Sequence, residues 1–393
     1  MRTQASHRSR RRGPLLATIA VAGLLLSGCA DFDGSAAAET EWSEAPELTP
    51  EQGPQPEAPR TPAATEGPSS VPPPDGCTDH DQAVIATCLD TAVAVAAFPT
   101  GAAPSGVAAE QNSGKVMRVE EGKKPKPLTT LKVNTAGDGG LTGIALSPSY
   151  AEDQLIFAYV TTASDNRIVR FAPGQQPKPV LTGIPKGKTG NRGAIAASGD
   201  GALLVATGDA GDAKAASDPK SLAGKVLRIN GSGKAAKGNP TSGSRVIASG
   251  VHTPGGLCAA EDGSRAWITD RGEDADAIYL ITPGEALSSP VWTWKDKPGV
   301  AGCADSEAGV AVATAKAGNL QYLPVDEDAT ATGKPEVAFD GEGGYGRLAG
   351  MDVLGEGIAM VGTVNKAGGE PVASDDRVVL LPVQPTPAGG GKD

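Results

Sequence analysis

Proton transfer near neutral pH falls most readily to histidine, and this 393-residue chain has three. His7 lies among the arginines of the first residues and His80 precedes the patterned part of the chain. His252, in "GVHTPGGL", sits in a loop entering an apolar strand, where a general acid or base could meet a substrate. Shortly after it, "DRGEDADA" offers Gly272, Glu273, Asp274 and Asp276, oxygen donors of a hardness that suits calcium. The spacing is not that of an EF-hand, and the same acids suit a solvated turn equally. "GDAGD", with Asp209 and Asp212, carries the same two readings: cation ligand or tight turn. Trp292 and Trp294 alternate with small residues, a core pattern that also allows stacking on a sugar. The chain has no nucleotide P-loop and no G-x-S-x-G hydrolase elbow.

The first residues set the compartment in which this chemistry is expected to operate. Five arginines and no acid in "MRTQASHRSRRRG" precede the apolar run "PLLATIAVAGLLL", which is short for a membrane span. Residues 1–28 therefore read as a signal peptide. "LSGC", Leu26 to Cys29, resembles a bacterial lipobox in which Cys29 becomes the lipidated first residue of the mature chain. Export by the general route is expected, with an anchor in the outer face of the cytoplasmic membrane. Residues 30–76 hold ten prolines, ten acids and one base, Arg60, so 29–76 reads as a disordered, extended tether. Residues 384–393 read as a disordered tail. Loss of five arginines with residues 1–28 takes the formal charge from −11 to −16. No basic patch with aromatic neighbours accompanies it, which argues against a nucleic-acid partner.

Four cysteines follow Cys29, an even number in an exported chain. Of the three possible pairings, Cys77 with Cys88 and Cys258 with Cys303 each tie neighbouring stretches of chain. A zinc site is the weaker reading, since no C-x-x-C or nearby histidine accompanies them.

The elements that must hold these residues are strands. From residue 91 the chain is rich in Gly, Ala and Val and broken by turn residues every 8 to 12 positions. "GIALSPSYAEDQLIFAYVTT", "GAIAASGDGALLVATGD", "GGLCAAEDGSRAWITDRG" and "LAGMDVLGEGIAMVGTV" repeat one scheme: a small-residue strand, a turn, then a second apolar strand. A third strand follows each, as in "NRIVRFAP" and "GKVLRING". With two weaker copies, around 92–122 and 308–328, there are six units, which predicts an all-β, six-bladed propeller over 77–383. The last copy lacks an outer strand. "DQAVIATCLD" is expected to supply it and close the ring, or else to form a short helix pinned by Cys77 and Cys88.

Several motifs in order carry a resemblance. "GGLTGIALSPSY" resembles G-L-L-G-I-A-L-H-P-D-F of the soluble quinoprotein sugar dehydrogenases, the glucose/sorbosone dehydrogenase family that uses pyrroloquinoline quinone. "GNRGAIAASGDGALLVATGDAGD" and "SDPKSLAGKVLRIN" resemble that family's H-N-G-G-R-L-x-F-G-P-D-G-x-L-Y-V-x-T-G-D and D-x-x-S-L-x-G-K-I-L-R-I-N. "GVHTPGGL", "ITDRGEDADAIYLITPGE" and "GRLAGMDV" are similar to H-R-N-P-Q-G-L, T-E-H-G-P-x-G-G-D-E-L-N-x-I-x-P-G and G-R-I-R-D-V. The correspondence runs over about 105–381. The lipobox, tether and propeller together are similar to the mycobacterial lipoprotein Z type of envelope protein.

What the resemblance implies is a quinone site with parts exchanged. The family's general base is the histidine of H-N-G-G; Gly190 stands there, followed by Asn191 and Arg192. His252 stands where the family has an arginine that pairs with the cofactor, and Thr253 and Gly255 replace its Asn and Gln. The family holds calcium partly on loop carbonyls beside E-H-G-P, where Arg271 replaces the histidine. Arg347 keeps the first arginine of G-R-I-R-D-V, and Ala349 takes the place of the second. Asn191, Arg192, His252, Thr253, Arg271 and Arg347 are thus the expected cofactor or ligand contacts. Gly272, Glu273, Asp274 and Asp276 are the expected metal contacts. With no base at Gly190, the leading expectation is a non-catalytic envelope module that binds a glycan, a small sugar or a partner protein. The competing one is an aldose dehydrogenase using pyrroloquinoline quinone and calcium, with His252 or a carboxylate as base. A lactonase-like metal hydrolase ranks third.

Overall fold

The computed structural model describes residues 71–385 apart from positions 100, 102 and 356. The signal peptide expected at 1–28, Cys29 and the tether up to residue 70 lie outside the described residues, as does the tail beyond 385.

A three-residue strand, β1 (Val84–Ala86), precedes the first blade. That blade is β2 (Ala92–Ala97), β3 (Ser105–Glu110), β4 (Lys115–Glu120) and β5 (Lys126–Thr130). The second is β6 (Leu141–Leu146), β7 (Ile156–Thr161), β8 (Asn166–Phe171) and β9 (Lys178–Ile184). The third is β10 (Gly193–Ala197), β11 (Leu203–Thr207), β12 (Lys225–Ile229) and β13 (Val246–Ser249). The fourth is β14 (Pro254–Ala259), β15 (Ala266–Arg271), β16 (Asp276–Leu280) and β17 (Trp292–Trp294). The fifth is β18 (Val300–Ser306), β19 (Gly309–Thr314), β20 (Leu320–Pro324) and β21 (Glu336–Ala338). The last is β22 (Leu348–Gly355), β23 (Ile358–Thr363) and β24 (Val378–Pro382), completed on its outer edge by β1.

Each blade is an antiparallel four-stranded sheet in simple meander order, so the chain forms the six-bladed propeller that its repeats predict. Val84 pairs with Val379 and Ala86 with Val378, and "DQAVIATCLD" is therefore the closing strand and not a helix. The Cys77–Cys88 and Cys258–Cys303 disulfides both form. The first pins the segment around β1, and the second ties the inner strands of blades four and five.

Why the inner strands are so poor in large residues follows from how closely they approach. A Cβ on Gly143 would lie 3.0 Å from the Gly193 carbonyl oxygen, and one on Gly256 2.8 Å from that of Ala301. Gly302 against Met351 and Gly350 against Ala94 are tighter still. Neighbouring blades thus touch backbone to backbone at these positions, where only glycine fits. One layer out, β7 (IFAYVT) and β19 (GVAVAT) are buried on both faces and carry larger apolar side chains. Phe157, Tyr159 and Ile168 of blade two pack on Ile195, Leu203 and Leu227 of blade three. Trp267 and Trp294 belong to the layer between blades four and five, Trp294 donating to Gln321 Oε1 at 2.6 Å.

Candidate functional site

Every inner strand starts at one end of the central channel, and the segments entering these strands carry nearly all the singled-out residues. Residues 190–192 lead into β10, 252 and 253 into β14, and 347 into β22. Arg271 ends β15 and is followed by the turn to β16. The fold gathers them at the channel mouth from blades three, four and six.

Gly190 is not a simple deletion of a side chain. It sits at φ +65°, and a Cβ there would collide with Asp209 Oδ1 and lie 2.8 Å from the amides of Ala210 and Gly211. The Gly190 carbonyl accepts from the Ala210 amide at 3.0 Å. The "GDAGD" turn has closed over the place where a base would stand. Asp209 Oδ1 accepts from the Gly211 amide, and Asp212 caps the short helix α1 (Ala213–Ser217) through the amides of Lys214 and Ala215. The tight-turn reading of this segment is therefore the one realised. Lys225, buried, donates to the carbonyls of Ala216 and Ala223 beneath it.

Asn191, one of the expected ligand contacts, is bonded within its own loop. It is fully buried, with its amide group bonded to both the N–H and the carbonyl of Gly187, at 2.9 and 3.0 Å. Its own N–H donates to Asp138 Oδ1 at 2.8 Å. A side chain so committed braces the loop and presents no exposed atom to a ligand.

The next residue does. Arg192 is only 8% exposed, and its Nε has no partner; neither has the buried Nε of Arg347. Arg271 completes the set, held by Val300 and Gly299 carbonyls at 2.7 and 3.4 Å. Burial, with the like charges of Arg192 and Arg347, pushes its guanidinium down to about 9, which leaves it cationic at neutral pH. Among the described residues, none of the three forms an ion pair within 4.0 Å. Asp138 and Asp276 offset part of the cost of these cations through space, but neither is paired directly with them, and an incoming anion would relieve the remainder. Among the described residues, the Arg347 side chain donates only to the Gly368 carbonyl, at 3.4 Å.

At the rim, His252 is positioned by an acid that the sequence reading missed. Asp270, 1% exposed on β15, accepts from the backbone N–H groups of His252 and Thr253 and from His252 Nδ1 at 3.1 Å. The Asp270 bond raises the imidazole above its ordinary range, against a smaller effect of burial. About half of the His252 side chain is open, and Asp270 at Nδ1 sets its tautomer and leaves Nε2 to accept. The signal for Asp270 was its place in "TDRG", one residue before Arg271 on the opposite face of the strand.

The four expected metal contacts do not come together. Asp276 is buried and turned onto the amides of Gly299 and Val300, at 2.6 and 3.1 Å. Glu273 and Asp274 are exposed. The carbonyls of Gly272 and Glu273 do converge, but on Lys297 Nζ, at 3.0 and 2.7 Å. Among the described residues no three His, Cys, Asp or Glu side chains cluster as a metal site would need. At 272–276, amides and an ammonium thus stand against oxygens that the resemblance assigns to calcium.

Comparison with known proteins agrees with this architecture. An aldose sugar dehydrogenase from Streptomyces coelicolor, solved in its pyrroloquinoline quinone-bound form, is 31% identical, with a TM-score of 0.70 over 80% of this chain and 100% of that one. A putative glucose dehydrogenase from Thermus thermophilus is 28% identical, with a TM-score of 0.68 over 76% and 98%. The aldose sugar dehydrogenase YliI of Escherichia coli is 26% identical over 177 residues, 40% of this chain, which spans about half (48%) of that relative's length. Residues 93–305 match the glucose/sorbosone dehydrogenase family as a whole, more than half of the chain. By sequence and by fold, the chain belongs to that family.

Proposed function

We propose that the channel mouth binds a small oligocarboxylate or similarly polyanionic molecule, and that the protein is a binding module of the cell envelope and not an oxidoreductase. The observation that carries this reading is the convergence of Arg192, Arg271 and Arg347, two of them with unpartnered buried Nε atoms. Bidentate guanidinium groups are the side chains best shaped for carboxylates. Gly190, and the turn packed over it, argue against turnover by the family's own route. The lipobox at Leu26 to Cys29 and the tether at 29–76 support export, a lipid on Cys29 and a place on the outer face of the cytoplasmic membrane, as in the lipoprotein Z type. There the propeller would meet envelope glycans, small sugars or partner proteins.

His252 with Asp270 favours a second reading, an aldose sugar dehydrogenase. Pyrroloquinoline quinone, a tricarboxylate, fits the three arginines, which would hold it; when bound it supplies the acceptor for a hydride. His252 Nε2 would take the proton of the anomeric hydroxyl, and Asp270 would steady the imidazolium that results. Calcium does not fit the residues present, for the reasons given above.

Calorimetric titration of the purified full chain with pyrroloquinoline quinone and with citrate, paired with a dye-coupled assay over an aldose panel, separates the readings. The expected result is anion binding without turnover, weakened about 10- to 100-fold in Arg192→Met and Arg271→Met. Turnover abolished by His252→Ala would establish the enzyme instead, and absence of any anion binding would refute both.

A further inference from the structure

We infer that Lys297 is the built-in cation of this site, so that the channel mouth takes its anionic ligand without a divalent metal. The inference rests on the reading of the mouth as an anion site. Two consecutive carbonyls, of Gly272 and Glu273, converge on the Lys297 ammonium at 3.0 and 2.7 Å. Carbonyls turned to one point form a hard-cation donor set, and here that set is filled from within the chain. The third ammonium N–H has no acceptor among the described residues, which leaves it for a ligand.

The surroundings reinforce the exchange. A divalent ion at these carbonyls would stand beside the Lys297 ammonium and the Arg271 guanidinium. The one buried carboxylate of the loop, Asp276, is already committed to two amides. The lysine is also held there at a cost. Its φ is +52°, a left-handed conformation that costs a non-glycine residue about 1–2 kcal/mol. Asp276 fixes the amides of Gly299 and Val300 just beyond it, which sets the loop that carries the ammonium onto β18. With Arg192, Arg271 and Arg347, Lys297 makes a fourth positive group from a fourth chain segment.

Two measurements on the full chain test this separately from the anion reading. In chelator-treated buffer, calcium alone is expected to give no calorimetric heat and no rise in Tm; stoichiometric uptake of calcium by the wild type would overturn the inference. Citrate and pyrroloquinoline quinone are expected to bind equally well in EDTA and in millimolar calcium. Lys297→Met, which keeps the aliphatic stem, is expected to weaken them about tenfold, and Lys297→Arg to recover most of that. An unchanged affinity in Lys297→Met, with Arg271→Met still weakened, would also overturn it. If no anion binds the wild type, the anion reading fails on its own, and the calcium arm still decides whether Lys297 has displaced the metal.

Discussion

At Gly190 the backbone has adopted a conformation and a neighbour that exclude the residue the family places there. Gly190→His puts a Cβ into the left-handed region and against Asp209, so it is expected to cost about 2–4 kcal/mol and to lower Tm. His252 behaves differently. Because Asp270 raises its pKa, the pairing contributes most below the ordinary imidazole value of about 6.5 and is lost as pH rises through the higher folded value. The Tm advantage of the wild type over His252→Asn should therefore be largest near pH 5 and shrink toward pH 9; an advantage that grows with pH would contradict the Asp270 pairing. These residues also mark the limit of what sequence discloses. The replacement of a base by Gly190 was legible from a single aligned motif. The Asp270 contact, the bracing role of Asn191 and the arrival of Lys297 at the 272–273 carbonyls depend on loops from separate segments meeting, which no local pattern encodes.

Strands were more legible than loops, for a physical reason. Small-residue inner strands, doubly buried middle strands and turn residues at regular intervals are each imposed by one position in a blade, and each blade repeats them. Even the closing strand could be read, because the last repeat lacked an edge and an apolar run flanked by Cys77 and Cys88 was left over. The disulfides do unequal work in this scheme. Cys77–Cys88 closes a separation of 11 residues and Cys258–Cys303 one of 45, so loop-closure entropy favours the second. Replacing the Cys258–Cys303 pair by serines is expected to cost about 4 kcal/mol, and replacing Cys77–Cys88 about 3, read as shifts in the denaturant midpoint.

The propeller is a ring with two unlike ends. The candidate site is cationic, while at the far end of the inner strands a cavity of about 550 Å³ is lined by Leu257, the Cys258–Cys303 pair, Met351 and Asp352. Burial there raises the Asp352 carboxyl to about 6, partly offset by the Ala97 amide it accepts at 2.7 Å. An acid raised in this way favours the fold below its unfolded value, near 4, and that contribution is lost as pH climbs through 6. Asp352→Asn keeps an acceptor for Ala97 and is expected to stabilise the protein by roughly 1–3 kcal/mol above pH 7, with the gain vanishing near pH 4. Thermal melts across that range decide it.

The pairing of β1 with β24 also orders events in time. Val84 is among the first residues of the domain to be synthesised and Val379 among the last, so the ring has no closed state until nearly the whole domain is available. Five blades can form from contacts local in sequence, each after its own strands emerge, whereas the sixth must wait for two distant ends to meet. A chain that stops before β24 leaves two unpaired edges and an open ring, a natural substrate for proteases and for edge-to-edge association. Completion of the propeller's last strand and completion of the fold are thus nearly the same event, which makes closure a checkpoint on the integrity of every copy.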